Sequence, residues 1–268
     1  MKRQKWYNGK KALVVGASEG IGFAVASLLL EYGAHVAVLS RDQNKLESAF
    51  NKLSAQKQNV QQRLLSACLD ASDSEQVERV FSNLSSEFGV ADIVINCVGY
   101  ARPGYLQELA VADFENMMQS NYLSCVYISR SIVPAMIGNG GGHLVHTSSI
   151  AGFVGLFGYT GYCAAKFAVI GFCQALRQEL CHEGVKVSVL CPPNTDTPGL
   201  KTENQYKPQE LLAVEEKAQP MSAPAVAQAL LKQLPSKSFL IHPSYDGKIA
   251  HWLSRYWPWM LEKMVRRP

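Results

Sequence analysis

The chain has 268 residues, 47% hydrophobic and 18% charged, with a formal net charge of +4. That length buries a sizeable core, and the composition is that of a globular chain rather than a disordered or fibrous one. The mild charge is spread along the sequence, with no basic run interleaved with aromatics ahead of the C-terminal end, so nucleic acid is not an expected partner.

The N-terminus, Met1-Lys2-Arg3-Gln4-Lys5-Trp6, is basic but runs into a strand without the apolar core of a signal peptide. Apolar runs at 12–15, 34–39, 64–69, 93–97, 143–147, 186–190 and 238–241 predict seven strands. Segments of helical period fill the gaps at 20–32, 42–56, 74–87, 111–136, 160–182 and 223–234. Strands this apolar, alternating with helices, predict α/β architecture with a parallel seven-stranded sheet covered on both faces. No linker divides residues 1–268, so one doubly wound, Rossmann-type domain is expected. Residues 193–222 read as a polar, proline-containing insertion, and 245–268 as an amphipathic, aromatic-rich end.

Directly after the first strand stands Gly16-Ala17-Ser18-Glu19-Gly20-Ile21-Gly22. Glycines allow a tight turn and close backbone approach, while a helix N-terminus offers free N–H groups to a pyrophosphate. Turns are rich in glycine, so the position between a first strand and a helix is what makes this loop a dinucleotide signal. Its spacing is G-x-x-x-G-x-G rather than the G-x-G-x-x-G of other dinucleotide folds.

An acidic residue at the end of the second strand would bind the ribose 2′-OH of NAD. Ser40-Arg41 stands there instead. Arg41 offers a cation to a 2′-phosphate, so NADPH/NADP is the expected cofactor, although Glu19 in the loop opposes it. Arg41 could equally be a solvated residue opening a helix. Asp70 closes the third strand, where adenine would lie, and Asn96 and Gly99 close the fourth, where the cofactor ribose would pass.

Tyr162 and Lys166 are spaced i,i+4 on one helix face, with Ser149 thirteen residues before the tyrosine. A lysine beside a phenol can lower its pKa from about 10 and make it a proton donor or acceptor. Such a pair taken alone is more often a half-exposed helix face. His143 and His146, three apart in a strand, face opposite ways and make a poor metal pair; no metal is expected. Seven scattered cysteines without CxxC spacing read as free thiols of a reducing compartment. With no run of eighteen apolar residues, no spanning helix is expected, and the chain is placed in the cytoplasm.

In chain order, the glycine loop, Asn96-Cys97-Val98-Gly99, Asn121, Ser149 and Tyr162-Cys163-Ala164-Ala165-Lys166 resemble the short-chain dehydrogenase/reductase family over essentially the whole chain. Val15 stands where the family usually has threonine, and Cys97-Val98 replaces the common Asn-Ala. The resemblance implies that Tyr162 protonates a carbonyl oxygen as hydride arrives from nicotinamide. It implies that Lys166 holds the nicotinamide ribose and depresses the tyrosine pKa, and that Ser149 hydrogen-bonds the substrate carbonyl. Asn121 would bend its helix through a bound water and complete a proton relay. Ser148 rivals Ser149, but the thirteen-residue step favours Ser149.

The segment Pro192-Pro193-Asn194-Thr195-Asp196-Thr197-Pro198-Gly199-Leu200 is more discriminating. By position, Pro192, Thr195 and Thr197 would border the nicotinamide, Thr195 through its backbone and Thr197 through its hydroxyl. With 121–130 and Gly155-Leu156-Phe157-Gly158, this segment is similar to the 3-ketodihydrosphingosine reductases, apart from Asn194 in place of aspartate. That similarity implies reduction of the lipid ketone 3-ketosphinganine, with residues 200–222 as a lid. A 3-oxoacyl or hydroxysteroid ketone, or a dinucleotide-binding sensor without turnover, stays open.

Ile249, Trp252, Leu253, Tyr256, Met260, Leu261, Met264 and Val265 follow 3-4 spacing, with Pro258 in the middle, so two short helices with a kink are expected. Trp252, Trp257 and Trp259 beside Arg255, Lys263, Arg266 and Arg267 suit either peripheral contact with the cytoplasmic membrane face or burial against the domain or a second subunit. The family resemblance implies a homo-oligomer, a dimer or tetramer.

Overall fold

The computed structural model describes residues 4–215 and 219–265. The basic Met1-Lys2-Arg3 start, residues 216–218 of the insertion, and Arg266 and Arg267 lie outside the described residues.

Strands β1 (Lys11–Val15), β2 (His35–Ser40), β3 (Leu64–Cys68), β4 (Ile93–Asn96), β5 (Gly142–Thr147), β6 (Val185–Leu190) and β9 (Leu240–Ile241) form one sheet of order β3-β2-β1-β4-β5-β6-β9. Every pairing is parallel. Two further strands, β7 (Thr195–Asp196) and β8 (Met221–Ser222), pair with each other inside the insertion. The seven-stranded parallel sheet is the one expected from the apolar runs. Its strand order reverses between β1 and β4, and the carboxyl ends of the strands open a crevice there.

The two-residue alternation of β1 feeds both faces. Ala12 and Val14 pack against α1 (Gly20–Glu31), α2 (Gln43–Ser54) and α9 (Ala223–Gln233), through Leu29, Leu46 and Val226. Leu13 and Val15 face α3 (Ser74–Phe88), α5 (Ser124–Gly138) and α6 (Thr160–Glu179), through Phe81, Ile128 and Val169. Full burial of each such side chain contributes about 1.5–3 kcal/mol, so the sheet is held from both sides.

The single helix expected over 111–136 is divided. Helix α4 (Val111–Met118) passes through a π turn (Gln119–Leu123) into α5. The cause is Asn121: its Nδ2 donates to Met117 O at 2.9 Å and Tyr100 O at 2.8 Å, capturing a carbonyl of the helix itself. The insertion also departs from a plain loop, forming α7 (Pro198–Asn204) and α8 (Gln209–Glu215). Thr197 caps α7 through Leu200 N, with proline in the first turn.

The C-terminal pair is as expected: α10 (Tyr245–Tyr256) and α11 (Pro258–Val265) break at Trp257. Leu253 and Leu261 are buried with Val154, while Trp252, Tyr256, Trp257, Trp259 and Met264 are exposed. No helix of the described residues is long and apolar enough to cross a membrane.

Candidate active site

The glycine loop is a cradle whose dimensions depend on missing side chains. Gly16 and Gly20 have φ of +77° and +60°, which L side chains rarely adopt. A Cβ on Gly22 would lie 2.1 Å from Gly16 O, and one on Gly20 would lie 3.1 Å from Thr197 Cγ2. Thr197 thus closes over the loop from the insertion. Glu19 precedes α1 without capping it, and the first turn holds no acidic residue, so the N–H groups of that turn and the positive helix end are free. Ile21 packs on the core beneath, and Ser18 Oγ accepts from Ser40 Oγ at 2.9 Å.

Four residues converge near the carboxyl end of β5. Ser149 opens a short 3-10 turn (Ile150–Gly152) as its cap, its Oγ accepting from Ala151 N at 3.2 Å. Tyr162, half-buried in the first turn of α6, has the Ser149 hydroxyl as a hydrogen-bonding neighbour. Lys166 is buried, donating from Nζ to Thr147 O at 2.9 Å. Gly99 lets these groups meet, since a Cβ there would stand 2.4 Å from Asn121 Oδ1 and 3.0 Å from Lys166 Nζ. Asn121 Oδ1 is buried without a hydrogen-bond partner among the described residues. Ser148, the rival serine, is buried and donates to Lys166 O at 2.8 Å, a structural bond behind the site.

The electrostatics correct one expectation. Lysine was expected to depress the phenol, yet Tyr162 is held well above its ordinary value, chiefly by burial and then by the negative charge of Glu203, while the Ser149 hydroxyl opposes the rise. Lys166 is not among the groups that lower it, and burial brings the lysine's own ammonium down to about 8. Its Nζ stands over the Tyr162 ring, 5.5 Å from the centroid. Tyr162 therefore carries its proton at neutral pH.

The remaining expected site residues divide. Arg41 is exposed in a cleft of about 340 Å³ shared with Ser72, Tyr100, Asn116, Gln119 and Ser120. Glu19, the expected opponent of a 2′-phosphate, is ion-paired to Lys45 at 3.0 Å. Asp70 accepts from Ser72 N and Oγ, so its carboxylate shapes the turn after β3. Asn96 is buried, its Oδ1 accepting from Val98 N and its Nδ2 turned to Ser124, Cys125 and His146. Its side chain is spent inside the fold, where it sets the path of the chain into Gly99. Pro192 O accepts from Ile150 N at 3.2 Å, tying the insertion to the serine turn. Thr195 is buried within β7, its hydroxyl donating to Pro193 O.

His143 and His146 are both buried on hydroxyl partners, Ser188 and Ser129. Among the described residues no group of three His, Cys, Asp or Glu could hold a metal ion, and all seven cysteines are free thiols.

Sequence reading missed a charged network over the tyrosine. Tyr159 Oη donates to Glu203 Oε1 at 2.5 Å, and its ring centroid is 5.8 Å from that of Tyr162. Lys207, fully buried, pairs with Glu203 and Glu215. The one available signal was the i,i+4 spacing of Glu203 and Lys207 in a segment that otherwise reads as solvated. Beside the network, Leu211 of α8 packs on Tyr159, Cys163 and Ala101, with Leu156, Phe157 and Tyr162 at the margin, forming an apolar wall.

A dinucleotide fits these residues: the cradle excludes side chains, the helix end is free for an anion, and Gly99, past the end of β4, adjoins Asn121 and Lys166. A family model for short chain dehydrogenases matches residues 10–208. The chain is 36% identical over 240 residues to the 3-ketodihydrosphingosine reductase of Bos taurus, covering 89% of this chain and 72% of that protein. It is 35% identical over 252 residues to the enzyme of the same name from Dictyostelium discoideum, covering 89% and 75%. Among solved structures, L-sorbose reductase from Gluconobacter frateurii, complexed with NADPH and L-sorbose, is similar with a TM-score of 0.74 and 26% identity, over 84% of this chain and 89% of that one. A short-chain dehydrogenase/reductase from Burkholderia phymatum in complex with NAD shares the fold, with a TM-score of 0.83 at 22% identity over 98% and 97%. With its doubly wound sheet, its glycine cradle and a matching family model across most of its length, the chain belongs to the short-chain dehydrogenase/reductase family of oxidoreductases.

Proposed function

We propose that the chain reduces 3-ketosphinganine to sphinganine, with NADPH as the reductant. The observation that carries the reaction is the meeting of Tyr162, Ser149 and Lys166 at the mouth of the switch-point crevice. Names borne by relatives at 35–36% identity over about nine-tenths of the chain support the substrate. So does the apolar wall of Leu156, Phe157 and Leu211 beside Tyr162, which suits an acyl chain.

Gly16, Ser18, Glu19, Gly20, Ile21 and Gly22 would hold the pyrophosphate, with Arg41 and the paired Lys45 toward a 2′-phosphate. Asp70, Asn96 and Gly99 would border the adenosine and ribose path, and Pro192, Thr195 and Thr197 the nicotinamide. When bound, the reduced nicotinamide supplies a hydride to a carbonyl carbon. Ser149 donates a hydrogen bond to the carbonyl oxygen and Tyr162 gives that oxygen its proton. A phenol kept protonated by burial is poised for this direction. Lys166 and Asn121 stand behind Tyr162; the unpartnered Asn121 Oδ1 beside Lys166 Nζ would accept from a water, and that water and the Lys166 ammonium would return a proton to the phenol.

The test is NADPH oxidation, followed by absorbance, with a panel of ketones. A rate with 3-ketosphinganine well above 3-oxoacyl and steroid ketones supports the reading, and NADPH binding without oxidation of any ketone overturns it. Tyr162→Phe is expected to lower turnover by about 10²–10⁴-fold while NADPH still binds.

The exposed Trp252, Tyr256, Trp257, Trp259 and Met264 on the C-terminal helices support peripheral contact with a membrane surface, where a lipid ketone would be held. A homo-oligomer, which the family resemblance implies, would be measured by sedimentation.

A further inference from the structure

Beside Tyr162 the molecule gathers two carboxylates around a single ammonium. Lys207 Nζ, its side chain fully buried, lies 3.2 Å from Glu203 Oε1 and 2.6 Å from Glu215 Oε2. Among the described residues no other cation pairs with either carboxylate. The remaining partners are neutral: Tyr159 Oη on Glu203 and, at 3.4 Å, on Glu215, and Asn194 Nδ2 on Glu215 at 2.9 Å. The nearby Arg102 is engaged over the Tyr206 ring, 3.7 Å from its centroid. Among the described residues the cluster thus sets two carboxylates, both 19% exposed, against one ammonium, and burial pushes the Glu203 carboxyl above its ordinary value. A carboxylate so shielded either takes up a proton or is held ionised by a further cation.

The position of that charge is specific. Glu203 is gripped by Tyr159, whose ring lies 5.8 Å from the Tyr162 ring, and it is one of the charges felt by the Tyr162 phenol. A carboxylate there works against proton loss from Tyr162, so its presence needs another reason. In an α-amino ketone the nitrogen lies about 3 Å from the carbonyl oxygen, as in the N–Cα–C=O unit of a peptide. An ammonium on the carbon next to a carbonyl held by Tyr162 and Ser149 therefore stays within about 3 Å of that oxygen, on whichever side a counter-charge holds it.

We propose that Glu203, steadied by Tyr159 and Lys207, binds an ammonium on the carbon next to the reacting carbonyl and makes the site selective for 2-amino ketones. This rests on the reading of the chain as a sphingoid ketone reductase and adds to it a residue and a charge. Glu215 shares Lys207 and keeps that lysine from neutralising Glu203 alone.

The experiment compares kcat/KM for 3-ketosphinganine and for 1-hydroxyoctadecan-3-one, which lacks the amine, in wild type and Glu203→Gln with NADPH. Glutamine keeps an acceptor for Tyr159 and removes the charge. The expected result is a loss of about 10- to 100-fold on the amino ketone, the worth of a charge-assisted hydrogen bond, with the amine-free ketone changed less than about threefold. Equal losses on both ketones, or none, overturn the proposal, because a merely structural latch would affect both alike. A second measurement needs no variant: binding of 2-aminooctadecan-1-ol and octadecan-1-ol to the NADPH-loaded wild type, followed by tryptophan fluorescence. The amine is expected to bind about tenfold or more tightly, and equal affinities overturn the proposal. If wild type leaves 3-ketosphinganine unreduced, the substrate reading fails, and the amine–alcohol pair still decides the ammonium site.

Discussion

Gly22 and Gly171 are both helical glycines, yet alanine is expected to act on them in opposite directions. A Cβ on Gly171, on the exposed side of α6, meets nothing within 4 Å. Alanine there removes only backbone freedom from the unfolded chain and is expected to add about 0.5–1 kcal/mol. At Gly22 the same atom would lie 2.1 Å from Gly16 O, 2.8 Å from Gly16 C and 3.0 Å from Ala17 Cα. All three are backbone atoms, and reaching ordinary contact at 3.4 Å requires a shift of about 1.3 Å. Neither side yields easily. Gly16 N and Ala17 N both donate to Leu39 O, at 2.8 and 3.1 Å, while α1 is anchored by the fully buried Val25 and Leu29. Overpacking of this kind costs about 1–3 kcal/mol, which outweighs the helix-propensity gain. Gly22→Ala is therefore expected to lose about 1–2 kcal/mol, a fall of roughly 2–8 °C in Tm. Because the displaced atoms are the cradle itself, NADPH affinity is expected to fall about 10- to 100-fold. Circular-dichroism melts and a fluorescence titration with NADPH read both quantities. A Gly22→Ala protein that melts with wild type and binds NADPH equally would refute the reasoning.

Arg41→Ala should weaken NADPH about 10- to 100-fold and leave NADH nearly unchanged, since only the 2′-phosphate needs the cation; equal effects in parallel titrations would show Arg41 to be a solvated residue. Burial holds His143 down at about 4 and His146 at about 3, both below the ordinary value of 6.5, so each is neutral in the fold and charges more readily when unfolded. Their stabilisation is complete above pH 6.5 and lost on descending toward pH 3–4, by up to about 1.4 kcal/mol per pH unit for each group. Urea midpoints at pH 7 and pH 5 that coincide would contradict this. Replacing Trp259 and Met264 by serine should reduce liposome binding several-fold with catalysis on a short-chain ketone retained; unchanged co-sedimentation would remove the membrane surface from the argument.

Local sequence determined most of the scaffold because the information there is local. Apolar runs of four to six residues between helical periods need both faces covered, and glycines ahead of a helix state a backbone path. The Tyr162, Lys166 and Ser149 spacing was legible for the same reason: two of the three share one helix face. The π turn was not, because Asn121 opens the helix by reaching Tyr100 O, 21 residues away. Asn96 shows the opposite case, a residue at a site position whose side chain packing turned inward.

Charge was the property that sequence could least assign. Glu203, Lys207 and Glu215 lie in a polar insertion that reads as solvated. Only the docking of α7 and α8 onto Tyr159 and Cys163 buries them. Lys166 likewise looks from its spacing like a cation that acidifies Tyr162. Burial, which no spacing records, instead takes charge stability from both groups and leaves the phenol protonated. The order of elements and the spacing of Ser149, Tyr162 and Lys166 were thus set by sequence, whereas their protonation and the burial of the Glu203 carboxylate depend on desolvation, which exists only once the distant segments have packed together.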